Sequence, residues 1–173
     1  MDFEVLIQSR SIQFRKTILA DLDYVIKAEN DEQSRKFVAQ WTSEKHIEAI
    51  ERRDQLHIVI EDLAGVKIGY MILAGLTNDN DCIELTRINI SHKGQGYGKQ
   101  AIRLIQKYVF HQLNAHRLWL DVKDFNARAK HVYESSGFIA EGLLRECIKK
   151  NDTYESLIIM GILRDEFLKL TEG

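Results

Sequence analysis

The sequence predicts a single mixed α/β domain whose sheet is mostly antiparallel and contains one parallel pair of strands. The length of 173 residues suits one hydrophobic core, so residues 1–173 are expected to form one domain. Runs of alternating apolar residues, typical of strands, are interspersed with helical patterns. A strand, glycine loop, helix and second strand follow one another in the middle, and a right-handed crossover of this kind joins parallel strands.

Composition excludes several classes of protein. Apolar residues make up 45% of the chain, charged residues 29%, and the net charge is -2, an ordinary globular balance with no basic excess. No apolar run approaches a membrane span, and the first residues lack the pattern of a secretion signal. We therefore expect a cytoplasmic protein that binds neither nucleic acid nor membrane. Cys82 and Cys147 have no metal-binding spacing, so we expect two buried thiols and no metal site.

The N-terminal third predicts one strand and two helices. Ile12 to Lys16 alternates like a strand, and Leu22 to Glu29 is expected to form a helix capped by Asp21. A second helix is expected over Ser43 to Arg52, with Ser43 as its cap. The residues between the two helices read as irregular.

Three strand signals follow. Leu56 to Glu61 and Val66 to Ala74 predict an antiparallel pair joined by a tight turn. In the third, "CIELTRINI", the apolar alternation slips by one residue near Thr86 and Arg87. An extra residue at such a slip indicates a β-bulge.

The C-terminal half continues with two helices and three strands. Helical spacing after the glycines predicts an amphipathic helix, and "HRLWLDV" is expected to be the strand parallel to the bulged one. Ala127 to Ser136 predicts a helix that Asn126 or Asp124 caps and that ends at Gly137. The last two strands are expected at Phe138 to Glu141 and Tyr154 to Leu163, with a turn near Asn151 and Asp152.

The loop "KGQGYGK", residues 93–99, is the main candidate binding site. Its glycines, Gly94, Gly96 and Gly98, can adopt positive φ and let backbone N–H groups approach a ligand, while the next helix adds a partial positive charge. Lys93 and Lys99 flank them, so the loop suits a pyrophosphate better than it suits a plain turn.

Two nucleotide motifs fit this loop poorly. The nucleotide-hydrolase loop requires Ser or Thr after its lysine, whereas Gln100 follows Lys99. The dinucleotide fingerprint matches Gly94 and Gly96, and Asp121 ends a strand at about the expected distance. Its third glycine, however, is replaced by Lys99, and the loop follows a late strand, which makes the dinucleotide alternative weak.

The chain resembles the GNAT (GCN5-related) N-acetyltransferases, particularly the branch that includes ribosomal-protein N-terminal and spermidine acetyltransferases. The resemblance covers almost the whole chain and rests on "KGQGYGK" after a bulged strand and on "RLWLDVKDFNARAKHVYESSGF", from Arg117 to Phe138. The family's loop pattern falls on Lys93, Gly96 and Gly98. Lys93 departs from the family's Arg or Gln but keeps a cation.

This resemblance implies a GNAT-like fold with helices on both faces of the sheet and a central parallel pair splayed at the bulge. Acetyl-CoA would be the cosubstrate, with pantetheine inserted between the splayed strands. The cofactor-binding residues it implies are the backbone of Ile88, Asn89 and Ile90, the loop residues Lys93, Gly94, Gln95, Gly96, Tyr97, Gly98 and Lys99, and the side chain of Asn126. Tyr133 would hydrogen-bond to the sulfur, and Arg128 is a candidate partner of a phosphate.

The general base stays open at this stage. An acid on the bulged strand fits the family, which favours Glu84, but the alignment could equally place Leu85 there; Asp121 and Glu155 are weaker candidates. The acids in and beside the segment from Asn30 to Arg53 suit a cationic acceptor or a solvated surface equally well; they are Glu29, Asp31, Glu32, Glu44 and Glu48.

The resemblance thus predicts an enzyme that transfers acetyl from acetyl-CoA to a primary amine, such as a protein N-terminus or a polyamine. The alternative is a CoA-binding sensor or interaction domain without catalysis. A homodimer is the expected assembly.

Overall fold

The computed structural model describes residues 3–173, which form an eight-stranded sheet with the strand order β1-β2-β3-β4-β5-β6-β8-β7. The strands are β1 Val5–Gln8, β2 Ile12–Lys16, β3 Gln55–Asp62, β4 Lys67–Ala74, β5 Cys82–Ile90, β6 Arg117–Lys123, β7 Ile139–Lys150 and β8 Thr153–Leu163. Among the paired strands of this sheet only β5 and β6 run parallel. The predicted mostly antiparallel sheet with one central parallel pair is therefore confirmed.

Helices cover both faces of the sheet. They are α1 Leu22–Asn30, α2 Ser43–Glu51, α3 Tyr97–Lys107, α4 Ala127–Ser135 and α5 Arg164–Glu172. On one face, Val25 and Ala28 of α1 pack on Tyr70 and Ile72 of β4. The main core lies on the other face and includes the apolar stripe of α3, as its spacing predicts. Within residues 3–173 no helix is long and apolar enough to cross a membrane.

The predicted β-bulge lies at Thr86. Leu85 pairs with Leu73 of β4 and Arg87 pairs with Ile72, so Thr86 has no partner on β4. The extra residue restores the apolar side chains of β5 to the main core on both sides of the bulge. It also turns Arg87 toward the face that α1 covers.

The two caps predicted for the first helices differ from the structure. Thr42, not Ser43, caps α2, because its hydroxyl accepts the Lys45 N–H at 3.3 Å. Asp21 does precede α1, but its carboxylate caps the short 3-10 turn by accepting the Ile18 N–H. The carboxylate of Asp21 also pairs with the buried Arg15 at 2.8 Å. Burial alone would raise the pKa of Asp21, but this ion pair helps to lower it to about 2.

The C-terminal strands are longer than the sequence indicates. β7 extends to Lys150 instead of ending at Glu141, because it pairs with β8 along its length through two register shifts. β1 and α5 were not predicted, whereas the turn at Asn151 and Asp152 and the cap at Asn126 were.

Both cysteine predictions were wrong, since Cys147 is exposed on β7 and Cys82 is half-buried on β5. β7 is the outermost strand of the sheet, and nearly all of its side chains are exposed. The predicted homodimer stays a prediction.

Glu29 is fully buried at the end of α1, although its sequence context suggests a surface acid. Its carboxylate accepts hydrogen bonds from Tyr70 Oη at 2.7 Å, from Arg87 at 2.7 Å and from the Trp41 N–H at 3.1 Å, and it pairs with His46 at 2.8 Å. Burial alone would raise the pKa of Glu29, but these hydrogen bonds lower it below the ordinary value. Glu29 is therefore a structural ion and cannot act as a free acceptor-binding acid.

The network continues through two buried histidines. His46 Nδ1 lies 3.0 Å from His57 Nε2, and His57 Nδ1 lies 2.8 Å from Thr17 Oγ1. Burial and then the neighbouring His46 lower the pKa of His57 from 6.5 to about 3. His57 is therefore neutral in the folded protein at any pH near neutrality.

We predict that His57 makes folding stability fall as the solution is acidified. Its pKa is lower folded than unfolded, so its contribution is fully present above pH 6.5 and is lost as the pH falls toward 3. The slope attributable to one such group is about 1.4 kcal/mol per pH unit. Urea unfolding of wild type and His57→Gln over this range should show a shallower slope in the variant.

The exposed His131→Gln substitution on α4 is the matched control and should leave the slope of wild type unchanged. Equal slopes for wild type and His57→Gln would show that His57 is not held neutral by the fold.

Candidate active site

A cleft forms where β5 and β6 separate. The two strands pair only from Cys82 to Glu84 on β5, opposite Arg117 to Trp119 on β6. Beyond this point one edge of β5 still pairs with β4, through Ile88, Asn89 and Ile90, while the other edge has no strand beside it. A backbone edge of this kind can hydrogen-bond an extended ligand as an added strand. The predicted splay at the bulge is confirmed.

The glycine loop connects the cleft to α3. Gly94 and Gly96 have φ of +80° and +77°, as predicted, and Gly96 stands at the N-cap of α3. A Cβ at Gly94 would meet no atom within 4 Å, and one at Gly96 would meet only Gln100 Nε2, at 3.9 Å. The loop thus leaves open space beside a helix N-terminus, which suits phosphate binding. Gly98 differs from the prediction, since it lies inside the first turn of α3 without a positive φ.

Cations surround this loop. Lys93 Nζ donates to Ser34 Oγ at 3.0 Å. Desolvation lowers the pKa of Lys93, nearby Asp31 opposes the shift, and the positive charge of Arg128 adds to it. Arg128 is therefore near enough for its charge to act on Lys93. Of the remaining predicted loop residues, Gln95 and Lys99 are exposed, and Tyr97 packs in part against the main core.

Two buried polar atoms along the cleft have no hydrogen-bond partner among residues 3–173. They are Thr86 Oγ1 in the bulge and Gln100 Oε1 in the first turn of α3. Buried polar atoms are normally paired, so each is a candidate contact for a bound polar ligand. With the free edge of β5 and the open space at the glycines, they fit the pantetheine and pyrophosphate of CoA.

Asn126 and Tyr133 both belong to α4. Asn126 Oδ1 accepts the Ala129 N–H at 3.2 Å, which makes it a helix cap and leaves its amide N–H groups for a ligand. Tyr133 is 8% exposed and packs on Phe138 with ring centroids 5.8 Å apart. Its hydroxyl forms no hydrogen bond with the described part of the chain. Burial, and then the charge of Asp121, raise the pKa of Tyr133, so its hydroxyl keeps its proton.

Two carboxylates lie where the strands separate. Glu84 is in register with Trp119, and Asp121 follows two residues later on the same face of β6. Desolvation and then the charge of Asp121 raise the pKa of Glu84. Asp121 is in contact with solvent, but the protein atoms around it still raise its pKa. Glu155, the third candidate, is instead paired with Lys123 at 2.8 Å.

The segment between α1 and α2, residues 31–42, crosses both sides of the cleft, and we call it the strap. On the β5 side, Arg87 donates to the Ala39 carbonyl at 2.5 Å. On the β6 side, Lys123 Nζ donates to the Lys36 carbonyl at 2.9 Å, and Phe37 packs on Phe125 with ring centroids 5.8 Å apart. The role of Arg87 in holding the strap was not predicted from the sequence. Its position at the predicted bulge was the one feature that set it apart.

The cleft, the glycine loop and the helix N-terminus together form the arrangement that the sequence resemblance implies. The sequence profile of the acetyltransferase (GNAT) family matches residues 23–138. The chain belongs to this family. Members transfer an acetyl group from acetyl-CoA, so the predicted acetyltransferase class is confirmed. The family match therefore argues against the alternative that the glycine loop binds a dinucleotide.

Similar proteins include named polyamine acetyltransferases. The chain is 33% identical to the spermidine N(1)-acetyltransferase of Vibrio cholerae over 130 residues, which cover 74% of this chain and 73% of that protein. It is 26% identical to the Escherichia coli K12 enzyme of the same name over 170 residues, which cover 92% and 90% of the two chains. The crystal structure of the V. cholerae spermidine N-acetyltransferase in complex with CoA and spermine superposes with a TM-score of 0.83 at 25% identity, covering 92% of this chain and 99% of that one.

We predict that Gly96→Val abolishes acetyl-CoA binding. A β-branched residue disfavours the φ of +77°, and its side chain would fill the open space beside the helix N-terminus. Isothermal titration calorimetry with acetyl-CoA measures the loss. Gly142→Val is the control, because Gly142 lies on β7 without a positive φ, and a Cβ there would meet no atom within 4 Å.

The control should bind acetyl-CoA like wild type. If a folded Gly96→Val protein also binds normally, the glycine loop does not hold the pyrophosphate.

Proposed function

We propose that this chain transfers the acetyl group of acetyl-CoA to a primary amine by direct attack within the cleft. The observation that carries the proposal is the separation of β5 and β6 directly after Glu84. The proposal is supported by the free backbone edge of β5, by two carboxylates where the strands separate, and by a buried Tyr133 on which the charge of Asp121 acts. Ile88, Asn89, Ile90, Asn126 and the loop from Lys93 to Lys99 are the residues that we assign to acetyl-CoA.

The carboxylates supply the proton acceptor. An amine with a pKa near 10 is mostly protonated at neutral pH and must lose a proton before it attacks. The raised pKa values of Glu84 and Asp121 make either group a better base than an ordinary carboxylate. We assign the base to Glu84, with Asp121 as the alternative, acting directly or through one water.

Tyr133 serves the leaving group. The amine nitrogen bonds to the carbonyl carbon, the carbon–sulfur bond breaks, and the sulfur takes the bonding pair as a thiolate. The protonated Tyr133 hydroxyl can donate a hydrogen bond to that sulfur, and the proton released by the amine completes the thiol. The raised pKa of Tyr133 favours the neutral donor over the phenolate.

A CoA-binding sensor domain without catalysis is the second candidate. A sensor would need the glycine loop, but it would need neither two carboxylates at the strand separation nor the hydroxyl of a buried Tyr133. The relatives' names make spermidine the first acceptor to assay, within a panel of primary amines. Thiol release from acetyl-CoA that depends on an amine would support the enzyme.

We predict that Tyr133→Phe lowers kcat by about 10²-fold to 10⁴-fold, because it removes one positioned donor and keeps the ring. Acetyl-CoA affinity and unfolding stability should change little, since the hydroxyl makes no hydrogen bond within residues 3–173. Steady-state kinetics and calorimetry on both proteins measure these quantities. An unchanged kcat, with chemistry shown to be rate-limiting in a single turnover, would leave Tyr133 with packing alone.

We further predict that Glu84→Gln removes the acidic limb of the pH dependence of kcat/KM, because the base no longer titrates. Asp121→Asn is the comparison: it removes a neighbouring negative charge, so the pKa of Glu84 and the acidic limb should shift to lower pH. If the two variants exchange these behaviours, Asp121 is the base.

A further inference from the structure

A cavity of about 450 Å³ lies between the strap and the tip of the β7–β8 hairpin. The strap contributes Glu32, Arg35, Lys36 and Gln40, and the hairpin contributes Lys150. This volume falls within the range of about 300 to 1,000 Å³ that is typical of small-molecule sites. None of the residues assigned to the reaction or to acetyl-CoA lines it.

The charge of this cavity is positive. Three of its five lining residues are cations, against one acid. Within residues 3–173, Arg35, Lys36 and Lys150 belong to no ion pair, whereas Lys123 beside them is paired with Glu155. Their positive charges are therefore available to a ligand.

The acids that favoured a cationic acceptor do not offset these charges. Glu29 is buried and held by Arg87 and His46. Glu44 and Glu48 belong to α2 and do not line the cavity. Only Glu32 remains.

One hydrogen bond links a lining residue of the cavity to β6, the strand that carries Asp121. Lys123 follows Asp121 by two residues on the same face of β6, and its Nζ bonds the carbonyl of Lys36, a lining residue. Two residues of a strand span about 7 Å. A molecule whose amine lies at Asp121 and Glu84 thus meets the cations only if its other end is at least that far away.

We propose that the natural acceptor carries an anionic group, a carboxylate or phosphate, several bonds away from its amine, and that Arg35, Lys36 and Lys150 bind that group. This inference rests on the proposed acetyl transfer and specifies its substrate class. A guanidinium can hold a carboxylate or phosphate by two hydrogen bonds, and the two lysines add charge. A polyamine would instead bring a second positive charge toward these three.

The test uses acceptors of equal length that differ only in the charge of the far group. They are ε-aminohexanoate, hexylamine and hexamethylenediamine, with aminohexyl phosphate to separate phosphate from carboxylate. We expect kcat/KM to be about 10-fold higher for the anionic acceptors than for hexylamine, and lower again for the diamine. A preference for the diamine overturns the inference and leaves acetyl transfer to amines intact.

The triple variant Arg35→Glu/Lys36→Glu/Lys150→Glu should reverse this order. Arg10→Glu/Lys27→Glu/Lys149→Glu is the matched control, because it replaces the same residue types and changes the net charge equally at exposed positions that do not line the cavity. The control should keep the order of wild type. An unchanged order in the triple variant overturns the assignment to these residues.

If none of these amines is acetylated, the binding of hexanoate and hexylamine to the acetyl-CoA complex is compared by calorimetry. Hexanoate binding that the triple variant loses supports the anionic site even where acetyl transfer fails. Equal binding of the two, or none, overturns it. Failure of acetyl transfer itself is scored separately, as the absence of thiol release with any amine of the panel.

Discussion

The short pairing of β5 with β6 is the constraint on which the rest of this structure depends. Two parallel strands at the centre of a sheet would ordinarily bond along their length, but here they part after three residue pairs. Backbone groups left without partners in a protein interior are costly, so a central edge of this kind persists only where a ligand or solvent reaches it. The bulge at Thr86 lies just beyond the last pair, and the glycine loop and α3 follow from the end of the same strand. One local interruption of the ladder thus opens the cleft, and the glycine loop lies at the end of the same strand.

The buried ion pair of Glu29 and Arg87 keeps the strap in position. Arg87 reaches Glu29 and the Ala39 carbonyl because the bulge turns its side chain toward α1. A buried charge is tolerated only when its hydrogen bonds are satisfied. Glu29 has partners on three elements around α1, namely His46 of α2, Tyr70 of β4 and Arg87 of β5. The strap is therefore held through a polar network that has few alternative arrangements. Through Arg87, the strap is thus connected to the β-bulge at Thr86, which lies where the cleft opens.

Local features of the chain were predictable because their cause is local. The slip of parity at Thr86 predicted the bulge, and the helical spacing after the glycines predicted α3. Glu29 was misjudged because its partners lie 17 and 58 residues away, so only the tertiary structure makes its burial favourable. The length of β7 and the exposure of Cys147 depend in the same way on β8, through register shifts that no alternation in "EGLLRECIKK" reveals. The candidate residues of the site could be proposed from sequence motifs. The separation of acidic and basic side chains around them could not, because it depends on how the strap and the β7–β8 hairpin fold together.

That separation of charge bears on what the acceptor can be. Glu84 and Asp121 lie where β5 and β6 separate, and the cations of the cavity lie beyond Lys123 on the same strand. The electrostatic field along β6 therefore favours one orientation of a bound molecule that carries both charges. Charges arranged in this way contribute more to the choice between partners than to affinity, because they repel an acceptor with the wrong far group. Similarity to spermidine acetyltransferases establishes the fold and the acetyl-CoA chemistry, but substrate choice resides in side chains that differ between relatives on the same fold. In this chain we assign that role to side chains of the strap and of the β7–β8 hairpin, which line the positively charged cavity. A shared fold can therefore keep the same site for acetyl-CoA while the side chains that meet the acceptor differ between relatives.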